Sequence, residues 1–157
     1  MPARARVDWG VFDKMQEIPV GFKKLVPDAK LPTIAHPGDA GMDLYCVGPT
    51  FVPVGGAPTL ISTGIAVDLH PMYWGLIKSK SGLAAKGLDV GAGVVDVGYS
   101  GEIKVVMFNH SGSGYQFKAG DKIAQLILIP YVPTRIYEVE HLKKSQRGAS
   151  GFGSSGR

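Results

Sequence analysis

Thr59-Leu-Ile-Ser-Thr-Gly-Ile-Ala-Val-Asp-Leu69 is rich in β-branched and aliphatic residues and is interrupted once, by Gly64. Too short and too broken for an amphipathic helix, it reads as a strand with a glycine break. The same reading extends outward on both sides. Tyr73-Trp-Gly-Leu-Ile-Lys78 is a second strand. Glu102-Ile-Lys-Val-Val-Met-Phe-Asn109 is a third, with Ile103, Val105 and Met107 alternating onto one face. Ile123 to Ile129 and Thr134 to Val139 give two more. Only Leu83 to Lys86 hints at a helical turn. With 22 glycines and 11 prolines in 157 residues, turns are frequent and long helices are disfavoured. Short strands at this spacing predict an all-β sandwich or barrel in one domain.

Composition narrows the class. The net charge of +4 favours an anionic partner only mildly. Cys46 is the one cysteine, so neither an internal disulfide nor a thiolate zinc site is expected, and a reducing compartment is. No apolar run is long enough to span a membrane, and the basic start Met1-Pro-Ala-Arg-Ala-Arg6 lacks the apolar stretch of a signal peptide. Asn109-His-Ser111 fits a glycosylation sequon, which means little without a secretory signal. Aromatics are not interleaved with the basic residues, so a nucleic-acid stacking platform is not expected. Residues 1 to about 20 read as an extension in which Trp9, Phe12 and Met15 share one face of a short helix.

Four stretches carry candidate chemistry. Ser79-Lys-Ser-Gly-Leu-Ala-Ala-Lys-Gly87 combines two ammonium groups, two hydroxyls and an approachable backbone. It is either a phosphate-holding turn or a solvated basic one. In Leu88-Asp-Val-Gly-Ala-Gly-Val-Val-Asp-Val-Gly-Tyr-Ser-Gly101, Gly91, Gly93, Gly98 and Gly101 predict a hairpin with backbone groups free for a flat polar ligand. Asp96, between Val95 and Val97, is a turn residue or a general base. Gln125, among apolar neighbours, needs a hydrogen-bond partner if buried. The tail Arg147-Gly-Ala-Ser-Gly-Phe-Gly-Ser-Ser-Gly-Arg157 is a disordered terminus or a lid. Its Gly151-Phe-Gly153-Ser-Ser-Gly156 matches G-x-G-x-x-G, but only Arg157 follows, too little for the helix of a dinucleotide fold.

Five short motifs occur in one order across residues 40–156: Ala40-Gly-Met-Asp-Leu44, Lys80-Ser-Gly-Leu-Ala84, Gly93-Val-Val-Asp-Val-Gly-Tyr-Ser-Gly-Glu102, Gly120-Asp-Lys-Ile-Ala-Gln-Leu126 and Arg147-Gly-Ala-Ser-Gly-Phe-Gly-Ser-Ser-Gly156. Together they resemble the trimeric deoxyuridine triphosphatase (dUTPase) family. The resemblance implies an all-β subunit with a jelly-roll-like β-barrel (the dUTPase-like β-clip) and a homotrimer with a swapped C-terminal glycine-rich arm. It divides the chain into an N-terminal extension (1–22), a β domain (23–146) and a flexible lid (147–157).

The implied reaction is hydrolysis of dUTP to dUMP and pyrophosphate, with Mg²⁺ carried by the triphosphate. Carried over by motif position, Asp96 would deprotonate the water that attacks the α-phosphorus. Tyr99 would stack under the deoxyribose. The backbone of Gly91, Gly93, Val94 and Val95 would read the uracil edge. Lys80, Ser81, Gly82 and Gln125 would hold the phosphates, and Lys104 is counted among the substrate-binding groups. Arg147 and Ser154 would meet the γ-phosphate, with Gly153 beside them and Phe152 over the uracil. Asp43 would support the metal–phosphate region or subunit contacts from a second layer.

Four positions depart from the family pattern. Lys80 stands where Arg is usual, and loses its bidentate fork; Ser79 precedes it in place of Pro. Gly98 replaces a frequent Asp, and Ser150 a usual glycine. The resemblance also keeps two alternatives in view: a deoxycytidine triphosphate deaminase of the same fold, and a protein-binding regulator that uses the N-terminal extension. A cytoplasmic or nuclear location, with viral origin an option, completes the expectation.

Overall fold

A computed structural model describes residues 17–145 and Gly148. Arg147, Phe152, Gly153, Ser154 and the Trp9–Met15 face lie outside the described residues.

The all-β expectation holds. Eleven strands and a single helical turn are found among the described residues, and every ladder is antiparallel. The strands are β1 (Gly21–Lys24), β2 (Gly41–Tyr45), β3 (Thr50–Val52), β4 (Thr59–Ser62), β5 (Ile65–Asp68) and β6 (Tyr73–Lys78), then β7 (Leu88–Gly91), β8 (Val94–Val95), β9 (Lys104–Asn109), β10 (Tyr115–Phe117) and β11 (Lys122–Pro130). The helical turn α1 (Ser81–Ala84) follows β6. Two larger sheets have the orders β2-β11-β6-β8 and β4-β9-β7; β1 pairs with β5, and β3 with β10.

The break at Gly64 separates β4 from β5, as expected. Gly64 takes φ +68, which L residues with a Cβ rarely adopt. The break is held from both sides: Gly64 N donates to Glu102 Oε1 at 2.9 Å, and Thr63 Oγ1 donates to Ile103 O at 2.5 Å. Strand alternation fills the core. Ile103, Val105 and Met107 are buried beside Ile61, Leu44, Phe117 and Leu126. Asn109 ends β9 fully buried, its Nδ2 donating to Val52 O and Ser113 O. That side chain is unavailable to a glycan, so the sequon is structural.

Two expectations need correcting. Thr134–Val139 is not a strand. The segment has β-forming residues but no partner row of backbone groups among the described residues, and Ile136 stands 93% exposed. Nor do residues 88–101 form a hairpin ladder. β7 pairs with β9 and β8 pairs with β6, so the glycine-rich corner passes from one sheet to the other.

Candidate functional site: a backbone-lined cleft and a cationic groove

The corner between β7 and β8 is tight. Ala92 has φ +56 and Gly93 φ +101. A Cβ on Gly93 would lie 2.5 Å from Ile77 O, the same strand from which Ile77 N donates to Gly93 O at 2.7 Å. β7 and β8 are both edge strands, so each leaves one row of N–H and C=O groups without a ladder partner. Ala92, Gly93, Val94 and Val95 line a cleft of about 490 Å³ with Tyr99, Glu102 and Lys104. That volume is in the range that small-molecule sites occupy.

Tyr99 is 49% exposed at the rim, and its hydroxyl donates to Glu102 O at 3.0 Å. The hydrogen bond thus orients a ring that stays half-exposed. Lys104 Nζ lies 3.5 Å from Glu102 Oε2. Asp96 follows β8 directly. A turn closed by Tyr99 N donating to Asp96 O at 3.2 Å leaves its carboxylate exposed, with no side-chain partner among the described residues. It borders a neighbouring apolar depression with Trp74, Val94, Val97 and Tyr131. Val94 lines both hollows, so Asp96 adjoins the cleft without lining it.

The second part lies on the other sheet. Asp43 is 3% exposed on β2, opposite Gln125 on β11. Lys80 Nζ donates to its Oδ1, and Lys122 Nζ lies 2.6 Å from its Oδ2. The Lys122 contact is an ion pair whose approach falls outside hydrogen-bond geometry, which leaves Oδ2 formally unsatisfied. Burial pushes the Asp43 carboxyl up, but the close ammonium groups of Lys122 and Lys80 outweigh it and hold the group below its usual range.

Asp43, Lys80, Gln125 and Gly41 line a groove of about 430 Å³ with Asp39 and Ile127. Gln125, half-buried on β11, donates from Nε2 to Ser79 O at 3.0 Å. Ser81 and Gly82 open α1 beside Lys80 and are exposed. β6 ends at Lys78, so strand alternation does not carry on to Lys80, and Lys78 lends its charge to Asp89 instead.

Within one chain the predicted residues therefore fall into two groups with no shared lining residue: Gly93, Val94, Val95, Tyr99 and Lys104 in the cleft, and Lys80, Gln125 and Asp43 in the groove. Gly91 ends β7 at the lip of the corner. Sequence reasoning missed Lys122, whose role follows from a β-bulge, and Ala92, whose place between two glycines was the available signal.

A dUTPase family model matches residues 27–156. The chain belongs to the dUTPase family. The deoxyuridine 5'-triphosphate nucleotidohydrolase of Clostridium tetani is 42% identical over 91% of this chain and 100% of its own length. That of Nocardia farcinica is 46% identical over 88% of this chain and 86% of its own. Among solved dUTPases, a Staphylococcus bacteriophage 80alpha mutant enzyme with dUpNHpp superposes with a TM-score of 0.82 at 26% identity, covering 88% of this chain and 99% of that one. The family match reaches through residues 147–156, so it takes in the glycine-rich tail as well as the β body.

Proposed function

We propose that this protein hydrolyses dUTP to dUMP and pyrophosphate, limiting uracil incorporation into DNA and supplying dUMP for thymidylate synthesis. The observation that carries the reading is the exposed Asp96 carboxylate, without a side-chain partner among the described residues, in the depression that adjoins a backbone-lined cleft in a dUTPase-family chain. In this reading uracil enters between the open edges of β7 and β8, where amide groups match its acceptor–donor–acceptor edge. Cytosine presents a donor where uracil accepts and would leave buried groups unpaired, a mismatch that can discriminate by roughly four orders of magnitude. Tyr99 supports the deoxyribose face. Asp96 takes a proton from water as the water oxygen bonds to the α-phosphorus. The bond from that phosphorus to the bridging oxygen breaks, and pyrophosphate leaves.

Lys80, Ser81, Gly82 and Gln125 take the phosphate side. Because cleft and groove share no lining residue in one chain, a complete site draws them from different copies. A homotrimer of jelly-roll subunits satisfies this, and the exposed apolar segment 131–142 fits a neighbour as the base of a swapped arm. Residues 147–157, with Arg147, Phe152, Gly153 and Ser154, act as a lid on the β domain; because Gly21 and Phe22 of β1 pair with Asp68 and Val67, that domain begins at residue 21 rather than 23, and the extension open to a protein partner is residues 1–20 rather than 1–22. Mg²⁺ is placed on the substrate triphosphate, where it offsets phosphate charge: the Asp43 carboxylate is taken by two ammonium groups, and no cluster of three His, Cys, Asp or Glu side chains occurs among the described residues. No helix of the described residues is long and apolar enough to cross a membrane, and a cytoplasmic or nuclear place is proposed.

Pyrophosphate release measured side by side with dUTP, dCTP, dTTP and UTP tests the reading. Release from dUTP alone is expected. Release from none of the four overturns it.

A further inference from the structure

Lys80 has two claims on it. The proposed reaction needs its ammonium on phosphate, yet in the structure it is bound to Asp43 Oδ1. Asp43 is 3% exposed, and withdrawing the sole partner of a carboxylate that deeply buried leaves an uncompensated charge, a strongly unfavourable change. Asp43 has a second cation, Lys122, on Oδ2. One carboxylate neutralises one ammonium, so the cluster carries a net positive charge, and one of the two lysines is in excess.

The two lysines are not equivalent. Lys80 is 29% exposed and lines the groove beside Gln125 and Gly41; Lys122 is 43% exposed and does not line it. Lys122 reaches Asp43 because β11 slips register between Lys122 and Ala124. The extra residue lets Ile123 and Ala124 both enter the core, so Lys122 and Gln125, three apart, meet the same neighbour. In a regular strand, positions 122 and 125 would face opposite sides.

We propose that Lys122 is the standing counter-ion of Asp43, and that its presence frees Lys80 to pass from that carboxylate to the phosphate chain of the ligand. Lys122 is thus a positioning residue that never touches substrate. The inference rests on the groove being the phosphate side of the dUTPase site. Without Lys122, transfer of Lys80 strands a buried carboxylate, and Lys80 stays on Asp43.

Binding of inorganic tripolyphosphate, followed by calorimetry without Mg²⁺, reads this step apart from catalysis; dUTP turnover reads it within the reaction. Lys122→Met is expected to weaken tripolyphosphate binding about tenfold and to raise KM for dUTP by a similar factor, with kcat changed less than about twofold. Lys122→Arg should stay within about threefold of the parent protein, since it keeps a cation on Oδ2. In an Asp43→Asn background, Lys122→Met should cost less than about twofold, because no carboxylate is left to strand. Melting curves on each variant identify any that fail to fold, and Lys122→Gln then repeats the comparison.

An equal loss with and without the Asp43 carboxylate overturns the proposal, for Lys122 then acts only as a distant positive charge. So does failure of the parent protein to bind tripolyphosphate. If the parent cleaves no dUTP but shows this binding pattern, the functional reading fails and the counter-ion role stands. If it cleaves dUTP without the pattern, the reverse holds.

Discussion

The Ser79 hydroxyl donates to Asp89 Oδ1 at 2.6 Å and accepts from Val90 N at 2.9 Å, tying the end of β6 to β7. The backbone oxygen of Ser79 meanwhile accepts from Gln125. Ser79 is thus the pin of the basic turn, holding the chain immediately before Lys80 from both sides. Proline, usual here in the family, has no hydroxyl to make the first connection. Val90 N also donates to Asp89 Oδ1, so Ser79→Ala strands no backbone donor. That substitution should cost about 1 kcal/mol in chemical denaturation, with a modest rise in KM for dUTP and little change in kcat. A loss in kcat with KM unchanged would mean that the pin does not act on phosphate binding.

The acid limb of stability should carry the signature of Asp43. Its folded-state carboxyl lies below the ordinary 3.8, so its contribution is present above that value and is lost as pH falls through the lower, folded one. Asp89 is displaced the same way, chiefly by the Ser79 hydroxyl and then by Val90 N. In thermal melts, Asp43→Asn should be least stable relative to the parent near neutrality, and the gap should shrink below pH 4 as the parent protonates. Lys122 is raised from 10.5, by Asp43 first, so its share persists below that value and is lost only as pH climbs beyond it. A gap that stays constant from pH 7 to pH 3 would refute the assignment.

Gly93→Ala combines two faults: a residue with a Cβ held at φ +101, and that Cβ 2.5 Å from Ile77 O, a backbone atom with little room to move. It should destabilise by about 2 kcal/mol or more in urea unfolding and weaken dUTP binding through the displaced corner. Ala92→Gly, which relieves a φ of +56, should be neutral or slightly stabilising by the same measure.

Asp96→Asn should leave the melting temperature unchanged, because the exposed carboxylate has no side-chain partner among the described residues. Turnover of dUTP should fall by about 10²–10⁴-fold, the range for loss of a general base, with binding retained. Surviving turnover would remove Asp96 from that role.

Ile136 is 93% exposed and Leu142 87% exposed in a single chain. Ile136→Asp should therefore leave the fold of an isolated chain intact while weakening the proposed trimer in sedimentation velocity. Unchanged assembly would detach this segment from the subunit interface.

The strands that sequence reading placed well are those whose alternation and partner both lie within the chain. Tyr73–Lys78 occupies the span its residues suggested, and Ile103, Val105 and Met107 all point inward. Thr134–Val139 has comparable β propensity yet pairs with nothing among the described residues, because a strand is completed by its partner and propensity supplies none. Gln125, expected to need a partner if buried, is half-buried, and the sequence did not show that its partner would be Ser79 O.

What the sequence determined by itself was the chemistry: the all-β class, the family through its five ordered motifs, and the residue types at hand, Asp96, Tyr99, Lys80 and Gln125. These are carried by local pattern and spacing, which survive without coordinates. What only the tertiary structure decided was who faces whom. β7 and β8 join different sheets, cleft and groove share no residue in one chain, and a register slip in β11 brings Lys122 to the carboxylate that holds Lys80. The physical reason is that a one-residue slip in a ladder redirects side chains across a sheet, and no local propensity records where it falls.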